Sequence, residues 1–227
     1  EKDTEGKEIK NGRYQIDPTT GQYKPSGVTT NIVGNREPKM IGGLNNSFTY
    51  KNMNLSFLLD LRLGGDIYNG TEYNLIQSGL SKKTLARQSV TLKGVLSTTG
   101  EEVTYNYQSG QTYMINNASY SGDYMIQQYW KNYSGNAYNL ITSTNWIRLR
   151  SLSFTYDFTS LVSKTKFIKG LSASFTGSNL FLITNYKGMD PEVSVSGSGT
   201  GGSGSMGIDY CGVPATRSFT FGVNLTF

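Results

Sequence analysis

Asp60 and Arg62 lie two residues apart in Asn54–Leu63, so in an extended chain both side chains leave the same face. A carboxylate beside a guanidinium can hold a polar ligand, meet a neighbouring domain, or brace a wet wall as an ion pair. Asp190-Pro191-Glu192 adds two carboxylates, the donor type of a hard-cation site. Two such groups are too few for one, and a structural turn fits the residues better. Tyr68, Tyr73, Trp130, Tyr133 and Tyr138 crowd one long stretch. Flat rings stack on sugar faces and on partner proteins, and they also pack a loop against itself. Catalysis finds little to work with. The chain has no His, which removes the usual general base and the commonest zinc ligand, and its one cysteine, Cys211, reads as a small loop residue. There is no nucleophile elbow, and the glycine-rich tract is not followed by Gly-Lys-Ser/Thr. The expectation is a protein that is not an enzyme and has no metal and no cofactor. The net charge of +5 is scattered rather than striped, which speaks against nucleic acid.

The elements that must position these residues are strands. At the C-terminus, Phe219, Phe221, Val223, Leu225 and Phe227 alternate with Ser218, Thr220, Gly222, Asn224 and Thr226, a period of two with one apolar face. Leu55, Phe57, Leu59, Leu61 and Leu63 alternate in the same way with Asn54, Ser56, Leu58, Asp60 and Arg62. Three more strands are expected over 41–50, 145–158 and 170–182. In the 145–158 strand, Leu152, Phe154, Tyr156 and Phe158 share a face that, continued upward, carries Trp146, Arg148 and Arg150. Either the strand rises above the apolar zone there, or a bulge turns Ile147 and Leu149 outward.

Residues 1–39 read as a loop with turn chemistry at Asp17–Gly21 and Lys24–Gly27. Residues 66–142 read as a long polar, Tyr-rich excursion with helical spacing in parts of 71–89 and 123–131. Residues 185–215 form a second long loop, with a Gly/Ser tract over 194–205. Connections therefore run short, long, short, long.

A soluble domain seldom ends on five large apolar groups facing one way. Lipid covers such a face in a membrane barrel, and about eleven residues is the length of a tilted spanning strand. The fold expected is all-β: an antiparallel transmembrane β-barrel with long extracellular loops. About five strands cannot close a barrel, and open edges in lipid leave backbone groups unpaired. The chain is therefore expected to be the tail of a larger barrel whose earlier strands lie outside it. A soluble β-sandwich that binds glycans, and a small barrel acting as adhesin or anchor, are the competing readings.

Several motifs resemble those of SusC/RagA-type TonB-linked outer-membrane transporters. Tyr186-Lys187-Gly188-Met189-Asp190-Pro191-Glu192 is similar to the family's Y-x-G-x-D-P-E stretch. Asn145–Leu152 resembles one of its strands, and Gly177-Ser178-Asn179-Leu180-Phe181 a strand end. Gly207-Ile208-Asp209-Tyr210, Val213-Pro214 and Arg217–Phe227 resemble its ending. The order and spacing hold over about residues 35–227. Cys211 and the Gly/Ser tract depart from the pattern.

The resemblance implies the last five or so strands of a 22-stranded barrel, without the plug domain. It further implies work with a SusD-like surface lipoprotein and with TonB, through the missing part, in importing an oligosaccharide or peptide across the bacterial outer membrane. The candidate site residues on this basis are Asp60, Arg62, Tyr68, Trp130 and Tyr133 for ligand, and Tyr186, Gly188, Asp190, Pro191 and Glu192 for the family motif. Thr220, Gly222, Leu225 and Phe227 fit the polar-x-Gly-x-x-apolar-x-aromatic signal read by the barrel assembly machinery.

Overall fold

The computed structural model describes residues 14–24, 32–162, 164, 167–193 and 207–227. In chain order the elements are β1 (Gln15–Asp17), β2 (Gln22–Tyr23), β3 (Met40–Tyr50), β4 (Met53–Leu63), β5 (Asp66–Asn69), α1 (Gly70–Gln77), β6 (Ser89–Leu96), β7 (Glu102–Gln108), β8 (Thr112–Ile115) and β9 (Ala118–Ser121). They continue as α2 (Gly122–Gly135), β10 (Ile141–Ser143), β11 (Trp146–Asp157), α3 (Thr159–Val162), β12 (Gly170–Thr184), β13 (Ile208–Asp209) and β14 (Ser218–Thr226). Two compact units result, residues 1–33 with 70–141 and residues 34–69 with 142–227.

The second unit carries an antiparallel sheet of five strands in the order β14-β12-β11-β4-β3, so strands adjacent in this meander are adjacent in space. A Lys51-Asn52 turn, with Lys51 at φ +52°, joins β3 to β4. Cross-strand register sorts the side chains into two faces. On one face Phe48, Leu55, Phe154, Phe175 and Phe221 form a row, and Leu44, Leu59, Leu149 and Phe181 form another. On the other lie Ser47, Ser56, Ser153, Thr176 and Thr220. The hydroxyls of Ser153 and Thr176 meet at 2.9 Å, and Asn54 Nδ2 donates to Ser47 and Thr49 at 3.1 and 2.8 Å.

The apolar rows are not a core. Phe221 is 79% exposed, and Phe48, Leu44, Phe219 and Val223 are exposed as well. Rings touch only along the sheet, as Phe175 does with Phe221 at 5.0 Å. Among the described residues no second layer packs these rows into a sandwich interior. β3 and β4 hold 11 residues each. At about 3.3 Å per residue and a tilt near 45° they reach ~25 Å, the height of a lipid-facing apolar band. The turn at Lys51-Asn52, the 158–169 connection and Phe227 share one end of the sheet, and the long connections leave from the other.

The first unit corrects two expectations. Residues 66–142 are not a polar excursion, because 70–141 fold around a hydrophobic core of their own. Residues 1–39 are not all loop, because β1 and β2 join that fold: its sheet runs β2-β1-β6-β7, with β1 parallel to β6. Ile16, Val90, Leu92, Tyr107, Ile115, Met125 and Ile126 make the core, with Leu92 and Tyr107 fully buried. The Tyr107 hydroxyl donates to the Gly21 carbonyl at 2.7 Å, which satisfies a polar group that burial would otherwise penalise. The expected turn at Asp17–Gly21 is present: Asp17 Oδ1 accepts from the Thr19 amide at 2.8 Å, and Gly21 takes φ +63°. The Lys24–Gly27 turn falls, from Pro25 onward, outside the described residues.

The helices also differ from expectation. The first is confined to Gly70–Gln77, with a separate 3₁₀ turn at Lys82–Leu85, and the second extends to Gly122–Gly135. Ser121 caps the second by accepting from the Tyr124 amide. The chain is strand-rich, consistent with the β-barrel class expected, and carries helices besides.

Candidate functional site

β11 decides where the charges go. Leu149 pairs with Leu59, but Ser151 pairs with Leu58, so Arg150 is an extra residue opposite β4. On the other side Leu149 pairs with Phe181 and Ser151 with Ser178, which makes β12 bulge in turn, with Asn179 at φ +53°. Of the two readings left open by the sequence, the bulge is the one realised. Above it, Ile147 and Leu149 join Leu61 and Leu59 on the apolar face. Trp146 and Arg148 lie opposite Arg62 and Asp60 on the polar face.

Arg148, Arg150 and Trp146 meet the segment that follows β12. Arg148 Nη2 donates to Asp190 Oδ1 at 2.5 Å. Its Nε lies 2.7 Å from Glu192 Oε2, an ionic contact whose angle is not that of a hydrogen bond. Arg150 donates to Asp60 Oδ2 at 2.6 Å and to Glu192 Oε1, and its guanidinium sits 5.5 Å from the Trp146 ring centroid. Asp60, Arg150, Glu192, Arg148 and Asp190 therefore form one chain of alternating charge. The terminal pair is sealed, with Arg148 and Asp190 side chains 3% and 4% exposed.

Asp190 accepts two backbone amides besides the guanidinium, Glu192 N at 3.0 Å and Ala215 N at 3.1 Å. Burial raises its pKa, but the Glu192 amide, Arg148 and the Ala215 amide together outweigh burial and hold the carboxyl below its ordinary value.

The rest of the motif serves the same local fold. The Tyr186 hydroxyl donates to Asp209 Oδ2 at 2.6 Å, and the Tyr186 ring lies against Gly188, where any side chain would strike it. Tyr186 and Pro191 are buried. Both carboxylates are engaged by arginines, so the motif clasps the local fold. Among the described residues no group of three His, Cys, Asp or Glu could hold a metal ion.

A cavity of ≈ 420 Å³ adjoins the clasp on the polar face, between Arg36, Arg62, Asp66, Thr144, Trp146 and Pro191. Arg62 donates to the carbonyls of Arg36 at 2.7 Å and Gly64 at 3.4 Å.

The sequence-derived residues end up in different places. Asp60 and Arg62 share the polar face, but Asp60 pairs with Arg150 and Arg62 lines the cavity. Tyr68 lies in β5, in a small sheet ordered β10-β5-β13, opposite Ile208. Trp130 and Tyr133 belong to the other unit, on α2 rather than in a loop. Their rings pack edge-on at 5.7 Å beside the core, and Lys83 Nζ stands 5.5 Å from the Tyr133 ring centroid. Tyr138 is exposed. Thr220, Gly222 and Leu225 lie in the edge strand β14, which Phe227 follows, and both Leu225 and Phe227 are exposed.

Sequence reasoning did not pair Arg148 and Arg150 with the motif acids. The available signal was two arginines on a strand that the alternation would otherwise have left facing the apolar side.

No family model matches the chain. Among curated proteins it is 27% identical over 218 residues to the TonB-dependent receptor P39 of Formosa agariphila, covering 96% of this chain and 18% of that protein. It is 25% identical over 209 residues to the TonB-dependent receptor P3 of the same organism, covering 91% and 18%. With the TonB-dependent receptor SusC of Bacteroides thetaiotaomicron it shares 27% identity over 187 residues, 82% of this chain and 15% of that protein. Over most of its length the chain is thus similar to TonB-dependent receptors, SusC among them. It spans less than a fifth of the length of these relatives. TonB-dependent receptors and SusC are outer-membrane proteins of Gram-negative bacteria.

Proposed function

We propose that this SusC-like chain supplies the last five strands, and the long outward connections between them, of a closed β-barrel that imports a nutrient using energy from TonB. The observation that carries the reading is the solvation of the sheet: an exposed apolar face, a hydroxyl-rich opposite face with an ion-pair chain buried at its Arg148–Asp190 end, and every long connection at one end. Lipid is the solvent that rewards the first face, and a wet lumen suits the second. β3 and β14 are the open edges of the sheet, and in a barrel they pair with strands outside this chain.

On this reading the unit formed by 70–141 and the 185–215 connection are extracellular. They are the parts available to a SusD-like lipoprotein and to the incoming oligosaccharide or peptide. The exposed ring of Tyr138 is a better candidate for such a contact than Trp130, which is committed to packing. Asp60 acts through Arg150 as a wall brace, and Arg62 lines the path. The edge strand carrying Thr220, Gly222, Leu225 and Phe227 serves assembly by adding to the open strand of the barrel assembly machinery.

Uptake tests the proposal. Cells lacking the full-length receptor should fail to take up one component of an oligosaccharide and peptide panel, regain uptake with the wild-type gene, and lose it again without TonB. Uptake that persists without TonB would contradict the reading. Deleting Phe227 should lower the outer-membrane level of the receptor, and unchanged insertion would count against the assembly role.

A further inference from the structure

The cavity beside the sheet has two kinds of wall. Trp146, Arg62 and Thr144 belong to or adjoin the strands, where backbone hydrogen bonds fix them. Pro191, Glu192 and Val193 belong to no strand. Short backbone contacts, such as Val193 N to Asp190 O at 3.3 Å, shape this segment internally but do not attach it to the sheet. Its attachment to β11 is ionic: Arg148 to Asp190 and Glu192, and Arg150 to Glu192. Asp60 of β4 holds Arg150 in turn.

We propose that Arg148 is a positioning residue: through Asp190 and Glu192 it latches the 186–193 segment to the polar face and thereby sets one wall of the cavity. Three features support this. Arg148 reaches two carboxylates with different nitrogens, a forked geometry that a single ammonium cannot reproduce. Asp190 uses its remaining capacity on the amides of Glu192 and Ala215, so the same carboxylate fixes the segment's turn and the approach to β14. Asp60, Asp190 and Glu192 pair only with Arg148 and Arg150 within the chain of ion pairs, and the other arginines lining the cavity are engaged elsewhere, Arg62 with the carbonyls of Arg36 and Gly64 and Arg36 with Glu37. Removing one guanidinium leaves three carboxylates around a single cation, so the segment is released rather than re-paired. Loss of one member of a buried pair is far more damaging than loss of an exposed one.

The inference concerns how the cavity wall is held and does not depend on what the receptor imports. Hydrogen exchange on the purified full-length receptor in detergent micelles tests it, with three variants. Arg148→Met should raise amide exchange in 186–193 and 208–216 by roughly a hundredfold while strand 170–184 stays within about twofold of wild type. Arg148→Lys keeps the charge but not the fork and should fall between Arg148→Met and wild type. Asp190→Asn, which keeps the shape and one acceptor oxygen, should also raise exchange in both segments. Exchange in 186–193 unchanged by Arg148→Met would overturn the latch. So would an equal rise in 170–184, which would mark general destabilisation, or a lysine variant no better than methionine. Should the receptor exchange as expected yet show no TonB-dependent uptake, the import reading would fail and the latch would stand.

Discussion

In the unit built from residues 14–24 and 70–141, Ile16, Leu92 and Tyr107 are sealed from solvent, as in any water-soluble fold. In the sheet of the other unit, Phe221, Val223 and Leu44 stand exposed, and the sealed side chains include Arg148 with its partner Asp190 from the segment after β12. The two regions draw on the same amino acids and place them oppositely. On the proposed barrel reading the difference lies in the solvent each face meets: water around the first unit, and acyl chains on one side of the sheet.

The contrast can be broken or sharpened by substitution. The largest effect is expected at the first unit's core, where Leu92→Ala should cost about 2–5 kcal/mol, because a fully buried side chain leaves a cavity. Phe221→Ala should cost far less in detergent, since little protein covers it. Thermal unfolding of the full-length receptor, followed by exchange in 89–108 and in 218–226, reads both. Equal losses would erase the distinction between the regions.

A charge should sharpen it further. Phe221→Arg in bilayers should destabilise by about 2–4 kcal/mol, whereas Leu85→Arg, on an exposed position of the first unit, should stay within about 0.5 kcal/mol. Folding yields of the two variants into lipid vesicles provide the comparison. A smaller effect, about 1 kcal/mol, is expected for Ser121→Ala, which removes the cap of α2 and should raise exchange in 122–135 without touching the sheet.

The gentlest perturbation is acid. The folded-state pKa of Asp190 lies below its ordinary value, so its contribution is fully present above the ordinary carboxylate range. That contribution declines as pH falls through the folded value. Protection of the Glu192 and Ala215 amides should therefore be flat from neutral pH down to the carboxylate range and decrease below it. A loss beginning near neutrality would place the titrating group elsewhere.

The sequence made the sheet legible because five strands repeat with period two over nine or more residues, long enough for alternation to show. It made the motif legible too, through Tyr186, Gly188, Asp190, Pro191 and Glu192. It could not show which side chains the motif grips, because the broken alternation at Arg148 and Arg150 fits a bulge and a rise above the apolar zone equally well, and neither names a partner 42 residues away. The first unit was hidden for another reason. β7 alternates Val103, Tyr105 and Tyr107, but β1, β2, β8 and β9 hold only two to four residues each, and β1 pairs with β6 at a separation of 80 residues. Local pattern carries no information about a parallel contact at that separation.

The claim that the sheet's aromatic face meets lipid is open to a direct measurement. Single tryptophans replacing Phe221 or Thr220, neighbours on opposite faces of β14, would be introduced into an otherwise tryptophan-free full-length receptor refolded in brominated-lipid bilayers. The tryptophan at 221 should be strongly quenched by the bromines and that at 220 spared. Quenching of 220 with 221 spared, or of neither, would contradict a lipid-facing sheet.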